Sequence, residues 1–243
     1  MIRRALVVGG ASGIGLSIAV ELASRASTEI VYVVDRSELD PAYKGDKVRN
    51  FVFDLNQEDY SFFDRFTDID ALIITAGFGR LALFKDIDEQ HIIDSFNVNT
   101  VAVIRLIRKF YDRISSKDDF YCTVMGSISG FMSSPFFAVY GATKAALKIF
   151  IESVNVELIK SGTTNRILNV SPGSIKGTGF YKGQTDLSMT AQLAKDILSH
   201  TIAKDDLYIP LYEEVFKTVL QRYQDDFRAE GIHSYEYKEQ SKR

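Results

Sequence analysis

The apolar run Ala5-Leu6-Val7-Val8 passes directly into Gly9-Gly10-Ala11-Ser12-Gly13-Ile14-Gly15. Four apolar residues in succession read as a strand covered on both faces. The glycines then allow a tight turn, and residues 14–24 carry a helical pattern. Strand, glycine turn and helix in that order commit the N-terminus to an α/β unit with a parallel sheet. The turn also gathers free backbone N–H groups at the positive end of a helix, where a pyrophosphate can be held. A glycine motif by itself is weak evidence, and a tight turn without ligand is the alternative. Its place directly after a strand and before a helix is what gives it weight.

The rest of the chain repeats the alternation. Apolar runs at 5–8, 30–34, 48–53, 71–75, 120–125 and 167–170 read as strands, with a short last one at 207–210. Helical periods fall at 14–24, 88–111, 138–159, 190–203 and 211–227. The expectation is a doubly wound parallel sheet of about seven strands, with helices on both faces and right-handed crossovers. No linker or repeat divides the 243 residues. Residues 1–230 are expected to form one domain, and 231–243 a polar C-terminal tail, read as loose in preference to an arm against a partner.

Composition narrows the function classes. At 46% hydrophobic and 25% charged, the chain has the balance of an ordinary globular protein. A net charge of −3 gives no electrostatic case for nucleic acid or an anionic membrane. No apolar run approaches the roughly 18 residues of a membrane span, and a cytoplasmic location is the default. Cys122 is the lone cysteine and sits in an expected strand, as a buried inert thiol. With His91, His200 and His233 far apart, no zinc-ligand spacing is present, and no metal is expected.

Two constellations carry chemistry. Asp35 closes the second expected strand, twenty residues after Gly15. A carboxylate there accepts from a ribose diol and repels a 2′-phosphate, which favours NAD over NADP. Arg36, the next residue, has the chemistry to reach a 2′-phosphate, so NADP stays open. Asp54 closes the third strand, where it has the reach of an adenine amino group or the role of a cap. The second constellation is Tyr140 and Lys144, four apart and so on one helix face, with Ser127 thirteen residues before the tyrosine. A free phenol titrates near 10, too high for an efficient base at neutral pH, and a neighbouring ammonium is expected to lower it. Most such pairs are plain helix surface. Here the serine ends one strand and the pair opens the next helix, at the strand C-termini where α/β sheets bind ligands.

Together these residues resemble the short-chain dehydrogenase/reductase family in its single-domain form. The resemblance spans about residues 3–180. It rests on Gly9-x-x-x-Gly13-Ile14-Gly15, Asp35, Asp54, Ala76-Gly77, Asn99, Ser127, Tyr140-x-x-x-Lys144 and Pro172-Gly173. The resemblance implies a Rossmann-like fold and hydride transfer between a nicotinamide and a secondary alcohol or carbonyl. It implies Tyr140 as general acid or base, Lys144 on the ribose and lowering the tyrosine pKa, Ser127 orienting the reacting oxygen, and Asn99 in a proton relay. The implied cofactor set is Gly9, Ser12, Gly13, Ile14, Gly15, Asp35, Arg36, Asp54, Leu55, Ala76, Gly77, Tyr140, Lys144, Pro172, Gly173, Ile175 and Thr178. It also implies a homodimer or homotetramer built on helices 88–111 and 138–159.

The chain departs from the family pattern in places. Val8 stands before Gly9 where threonine is usual, and Ile74 stands where asparagine is usual; the two are expected to meet. Thr178 lies one residue later than the family's threonine. The charged, aromatic segment 211–243 differs from the usual ending. Substrate loops are expected at 79–83, 128–139 and 178–190, with Phe131, Met132, Phe136, Phe137, Phe180, Tyr181 and Met189 lining an apolar pocket or packing the core. Arg80 is read as a solvated arginine rather than an anion anchor. The competing function is a non-catalytic NAD(P)-sensing protein using the same cleft. A nucleotide-sugar epimerase is discounted, because only about 65 residues follow Thr178.

Overall fold

The computed structural model describes residues 1–181 and 185–241. Its centre is a seven-stranded parallel sheet in the order β3-β2-β1-β4-β5-β6-β7. The strands are β1 Arg4–Val8, β2 Ile30–Asp35, β3 Val48–Val52, β4 Ala71–Ile74, β5 Tyr121–Met125, β6 Ile167–Val170 and β7 Leu207–Tyr208. The order reverses between β1 and β4, so the crevice of the sheet opens above their C-terminal ends.

Both faces of the sheet are buried, which is why the central strands read as unbroken apolar runs. Leu6, Val8, Leu72, Ile74 and Val124 share one core with Leu106, Leu147 and Ile151. Val7, Val33, Ile73 and Val170 share the other with Ile18, Leu22, Ile197 and Leu198. Val8 and Ile74 are register partners across β1 and β4 and lie in the same core, so two apolar side chains meet there.

The helices follow the expected order: α1 Gly13–Ser24, α2 Glu89–Phe96, α3 Ala102–Lys109, α4 Tyr111–Ile114, α5 Ala138–Ser161, α6 Leu187–Ala203, α7 Lys217–Asp225 and α8 Phe227–Ser241. Two crossovers contain no α-helix. Between β2 and β3 there is only the 3₁₀ turn Pro41–Tyr43, and between β3 and β4 only Ser61–Arg65. Aromatic packing covers the second gap: Phe51, Phe53, Phe62, Phe63 and Phe66 pack with ring centroids 4.8–6.1 Å apart.

The C-terminal segment differs from the loose tail expected at 231–243. Through residue 241 it is helical, as part of α8. Asp226 breaks the expected helix over 211–227 with extended backbone, and its carboxylate caps α8 by accepting from Arg228 and Ala229, both at 3.0 Å. The polarity of α8 is misleading because polar groups face inward. Glu230 is 7% exposed and pairs with Arg222 at 2.6 Å. No helix among the described residues is long and apolar enough to cross a membrane.

Candidate active site

The glycine turn is shaped by close backbone approaches. Gly9 has φ +87°, and a Cβ there would lie 2.4 Å from the Ala76 backbone nitrogen. A Cβ on Gly15 would lie 2.2 Å from the Gly9 carbonyl oxygen. Both positions exclude every residue but glycine, and they seat the first turn of α1 against the end of β4. Thr75 locks that junction by donating its hydroxyl to the Gly9 carbonyl at 2.9 Å. Sequence reasoning missed Thr75, whose strand-end hydroxyl carries no periodic signal.

Ser12 precedes α1 in extended backbone and makes no side-chain capping bond. Gly13 (φ +53°) opens the helix, and its N–H donates to the Thr185 hydroxyl at 3.1 Å. Thr178 is 3.5 Å from the place of a Gly13 Cβ and donates to the Ile175 carbonyl at 3.0 Å. Thus the segment after β6 folds back onto the glycine turn.

Asp35 ends β2 with both carboxylate oxygens engaged. One accepts from Ala11 N–H at 3.0 Å and the other from Ser37 N–H at 3.1 Å. The contact to Ala11 aims the carboxylate across the turn. Arg36 next to it is exposed. Asp54 is exposed and accepts from Asn56 N–H at 2.9 Å, while Leu55 is 8% exposed.

The second group assembles above β4 and β5. Asn99 lies in an i→i+5 turn, Asn97–Val101, that joins α2 to α3. Its side chain is fully buried: it accepts from Phe78 N–H at 2.9 Å and donates to the Phe78 carbonyl at 2.8 Å. It also donates to Thr143 at 3.2 Å, and Thr143 donates to the Tyr140 carbonyl at 2.7 Å. Thr143 therefore links Asn99 to the first turn of α5, a role no sequence period announces. Gly77 lies beside this group, with the place of its Cβ 3.2 Å from Asn99 Oδ1 and 3.3 Å from Lys144 Nζ.

Ser127 follows β5; its hydroxyl accepts from Ser129 N–H at 3.2 Å and lies near enough to the Tyr140 phenol to pull its pKa down. Lys144 is 3% exposed, donates from Nζ to the Met125 carbonyl at 2.8 Å, and lies 5.6 Å from the Tyr140 ring centroid. Pro172 and Gly173 close the opposite side. The Pro172 carbonyl accepts from Ile128 N–H at 3.0 Å, and Phe216 sits 2.5 Å from the place of a Gly173 Cβ.

Electrostatics here differ from the expectation that Lys144 lowers the tyrosine pKa. Burial pushes Tyr140 up to about 12, against a smaller lowering by the nearby Ser127 hydroxyl. Burial likewise pushes Lys144 down to about 8. At neutral pH the phenol is therefore protonated and Lys144 remains mostly an ammonium, though one that holds its proton less tightly than in water. The Phe180 ring is 5.0 Å from Tyr140 and 6.0 Å from Phe137, and Phe137 is 5.8 Å from Tyr140. The side chain of Tyr181, expected in the same wall, lies outside the described structure, as do residues 182–184 and 242–243. Arg80 is half-exposed and sits 3.6 Å from Asp88.

A parallel sheet with a glycine-turn cradle at its switch point and a buried Ser–Tyr–Lys group beside it defines an α/β dehydrogenase architecture. The family model described as short chain dehydrogenase matches residues 3–186, and the chain belongs to that family of dehydrogenases and reductases. An uncharacterized short-chain type dehydrogenase/reductase from Sinorhizobium fredii is 31% identical over 180 residues, covering 73% of this chain and 71% of that protein. Among solved structures, a short chain dehydrogenase/reductase from Burkholderia phymatum in complex with NAD has a TM-score of 0.78 at 15% identity, covering 93% and 94% of the two chains. One from Burkholderia cenocepacia in complex with NADP has a TM-score of 0.77 at 21% identity, covering 96% and 97%.

Proposed function

We propose that the chain transfers a hydride between NAD and a secondary alcohol or carbonyl, with Tyr140 as the general acid or base. The observation that carries this is one cluster in which the Ser127 hydroxyl lies near the phenol, Lys144 stands beside the Tyr140 ring, and Asn99 is tied to the same helix turn through Thr143. The cradle fits a dinucleotide: Gly9 and Gly15 leave no room for a Cβ, and the Gly13 N–H points outward to a hydroxyl. Gly9, Ser12, Gly13, Ile14 and Gly15 would hold the pyrophosphate. Asp35 would hold the adenosine ribose, with Arg36, Asp54 and Leu55 around the adenine. Ala76, Gly77, Lys144, Pro172, Gly173, Ile175 and Thr178 would line the nicotinamide end. When bound, the nicotinamide supplies or accepts the hydride.

The protein's own part is proton transfer and positioning. Ser127 orients the reacting oxygen toward the phenol. Tyr140, with its pKa near 12, is protonated at neutral pH and ready to give its proton to a carbonyl oxygen. Phe137 and Phe180 place apolar rings beside the phenol and favour an apolar carbonyl. NAD is favoured because the Asp35 carboxylate points across the glycine turn, where a 2′-phosphate would meet its charge.

We also infer a homodimer or homotetramer. Ile93, Phe96 and Val101 are 36–45% exposed, and Ile149, Val156 and Ile159 on α5 are 51–60% exposed. That much apolar surface on two long helical segments fits a subunit contact.

Fluorescence titration with NADH and NADPH, then oxidation of the better ligand across a carbonyl panel, tests the function. Tyr140→Phe should lower turnover by about 10²- to 10⁴-fold while NADH affinity stays within about twofold. Undiminished turnover in Tyr140→Phe would refute the role. Tight NADH binding with no carbonyl reduced would instead make the chain a nicotinamide sensor.

A further inference from the structure

The loop between Ser127 and Tyr140 does not hold its shape alone. Phe136 has φ +66°, a left-handed backbone that bulky residues rarely adopt, yet it is 5% exposed. Such a conformation persists only where its surroundings over-determine it. On one side, the Phe136 carbonyl accepts from Ala82 N–H at 3.0 Å, which joins the loop to the segment after β4. On the other side stands α8.

Three contacts from α8 reach the loop. Tyr235 lies over the Phe136 ring at a centroid distance of 4.7 Å. Lys238 Nζ donates to the Ser134 hydroxyl at 2.7 Å and to the Pro135 carbonyl at 3.0 Å. Gly231 approaches closely, with the place of its Cβ 3.3 Å from Ser133 Oγ. The Lys238 ammonium also lies 5.5 Å from the Phe137 ring, and Phe137 is the ring that touches Tyr140 and Phe180. An ammonium held by a hydroxyl and a carbonyl is a directional restraint rather than a charge pair. Burial against the loop pushes that ammonium down to about 8.

We propose that the C-terminal helix is a working part of the active site, with Lys238 and Tyr235 as positioning residues that fix the 131–137 loop and so set the place of Phe137 against Tyr140 and the room left for the substrate. This rests on the oxidoreductase reading above. Lys238 and Tyr235 act through the loop, and Phe137 makes the contact with the phenol. The restraint favours flat, apolar carbonyls that can slide along Phe137 and Phe180. A small carbonyl needs no such wall.

The test uses the full chain and four variants. Lys238→Met keeps the stem and removes the donor, and Lys238→Arg keeps a donor. Tyr235→Ala removes the ring, and Tyr235→Phe keeps it. Hydrogen exchange is followed at residues 131–140, with β1 and β5 as internal references. Steady-state reduction is followed with phenanthrenequinone as the flat aromatic probe and diacetyl as the small one.

For Lys238→Met and Tyr235→Ala, exchange at 131–140 should rise at least tenfold while the two strands change less than twofold. The KM for phenanthrenequinone should rise at least fivefold, with the KM for diacetyl and for NADH within twofold. Lys238→Arg and Tyr235→Phe should restore both readouts to near the parent values. Unchanged exchange in both disruptive variants would overturn the proposal. So would raised exchange with no change in either kinetic constant. A parent chain that reduces neither probe would count against the oxidoreductase reading, and exchange alone would then judge the clamp.

Discussion

Lys144 is a cation held in a dry place, and its burial has a measurable price. The fall from 10.5 to about 8 means that the unfolded chain binds the extra proton between those values, so stability from this group rises with pH across that window. Below pH 8 the full penalty is present. That shift corresponds to about 3 kcal/mol, from which losing the bond to the Met125 carbonyl subtracts about 1 kcal/mol. Lys144→Met should therefore raise the melting temperature at pH 7 by about 4–8 °C, with the gain shrinking toward pH 10.5, while turnover collapses. Thermal melts at pH 7 and pH 10 check it, and a lowered Tm at pH 7 would contradict it. Sequence spacing placed Tyr140 and Lys144 together because a helix repeats every 3.6 residues. It gave the wrong direction for the phenol because burial depends on Phe137 and Phe180, which no spacing rule brings to the ring.

Among the elements, the i→i+5 turn at Asn97–Val101 does the most positioning. It turns Asn99 inward, where its amide satisfies both backbone groups of Phe78. Asn99→Ala would leave the half-buried N–H and carbonyl of Phe78 without this partner and should destabilise the protein by about 1–3 kcal/mol. Urea unfolding measures this, and a loss well under 1 kcal/mol would show that water or a shifted loop replaces the amide. The strands were readable because both sheet faces are covered and the runs are continuous, as in β1 and β4. The helix-free crossovers before and after β3 were less readable. After β3 a seven-ring aromatic cluster that includes Tyr32 and Tyr60 does the covering, and clusters have no period. The helix α8 was hidden for the converse reason: its inward groups, Glu230 and Lys238, are of the kind expected in solvent.

For the molecule as a whole, the apolar faces of α2, α5 and the turn between α2 and α3 are unpaired in one chain. Light scattering should give two or four times the mass of a single chain. Ile149→Lys combined with Val156→Lys, both on the exposed face of α5, should shift the mass to that of one chain. A single-chain mass for the parent protein would refute the assembly.

The Thr185 hydroxyl occupies the Gly13 N–H, the donor that the proposed cradle would offer to a phosphate oxygen. An incoming coenzyme therefore enters a contest rather than an open berth, and its apparent affinity falls by the fraction of molecules whose donor is already taken. Thr185→Val withdraws the competitor. It should tighten NADH binding by about twofold to tenfold, the range set by one ordinary hydrogen bond, and fluorescence titration would register unchanged or weaker binding as a failure of this idea.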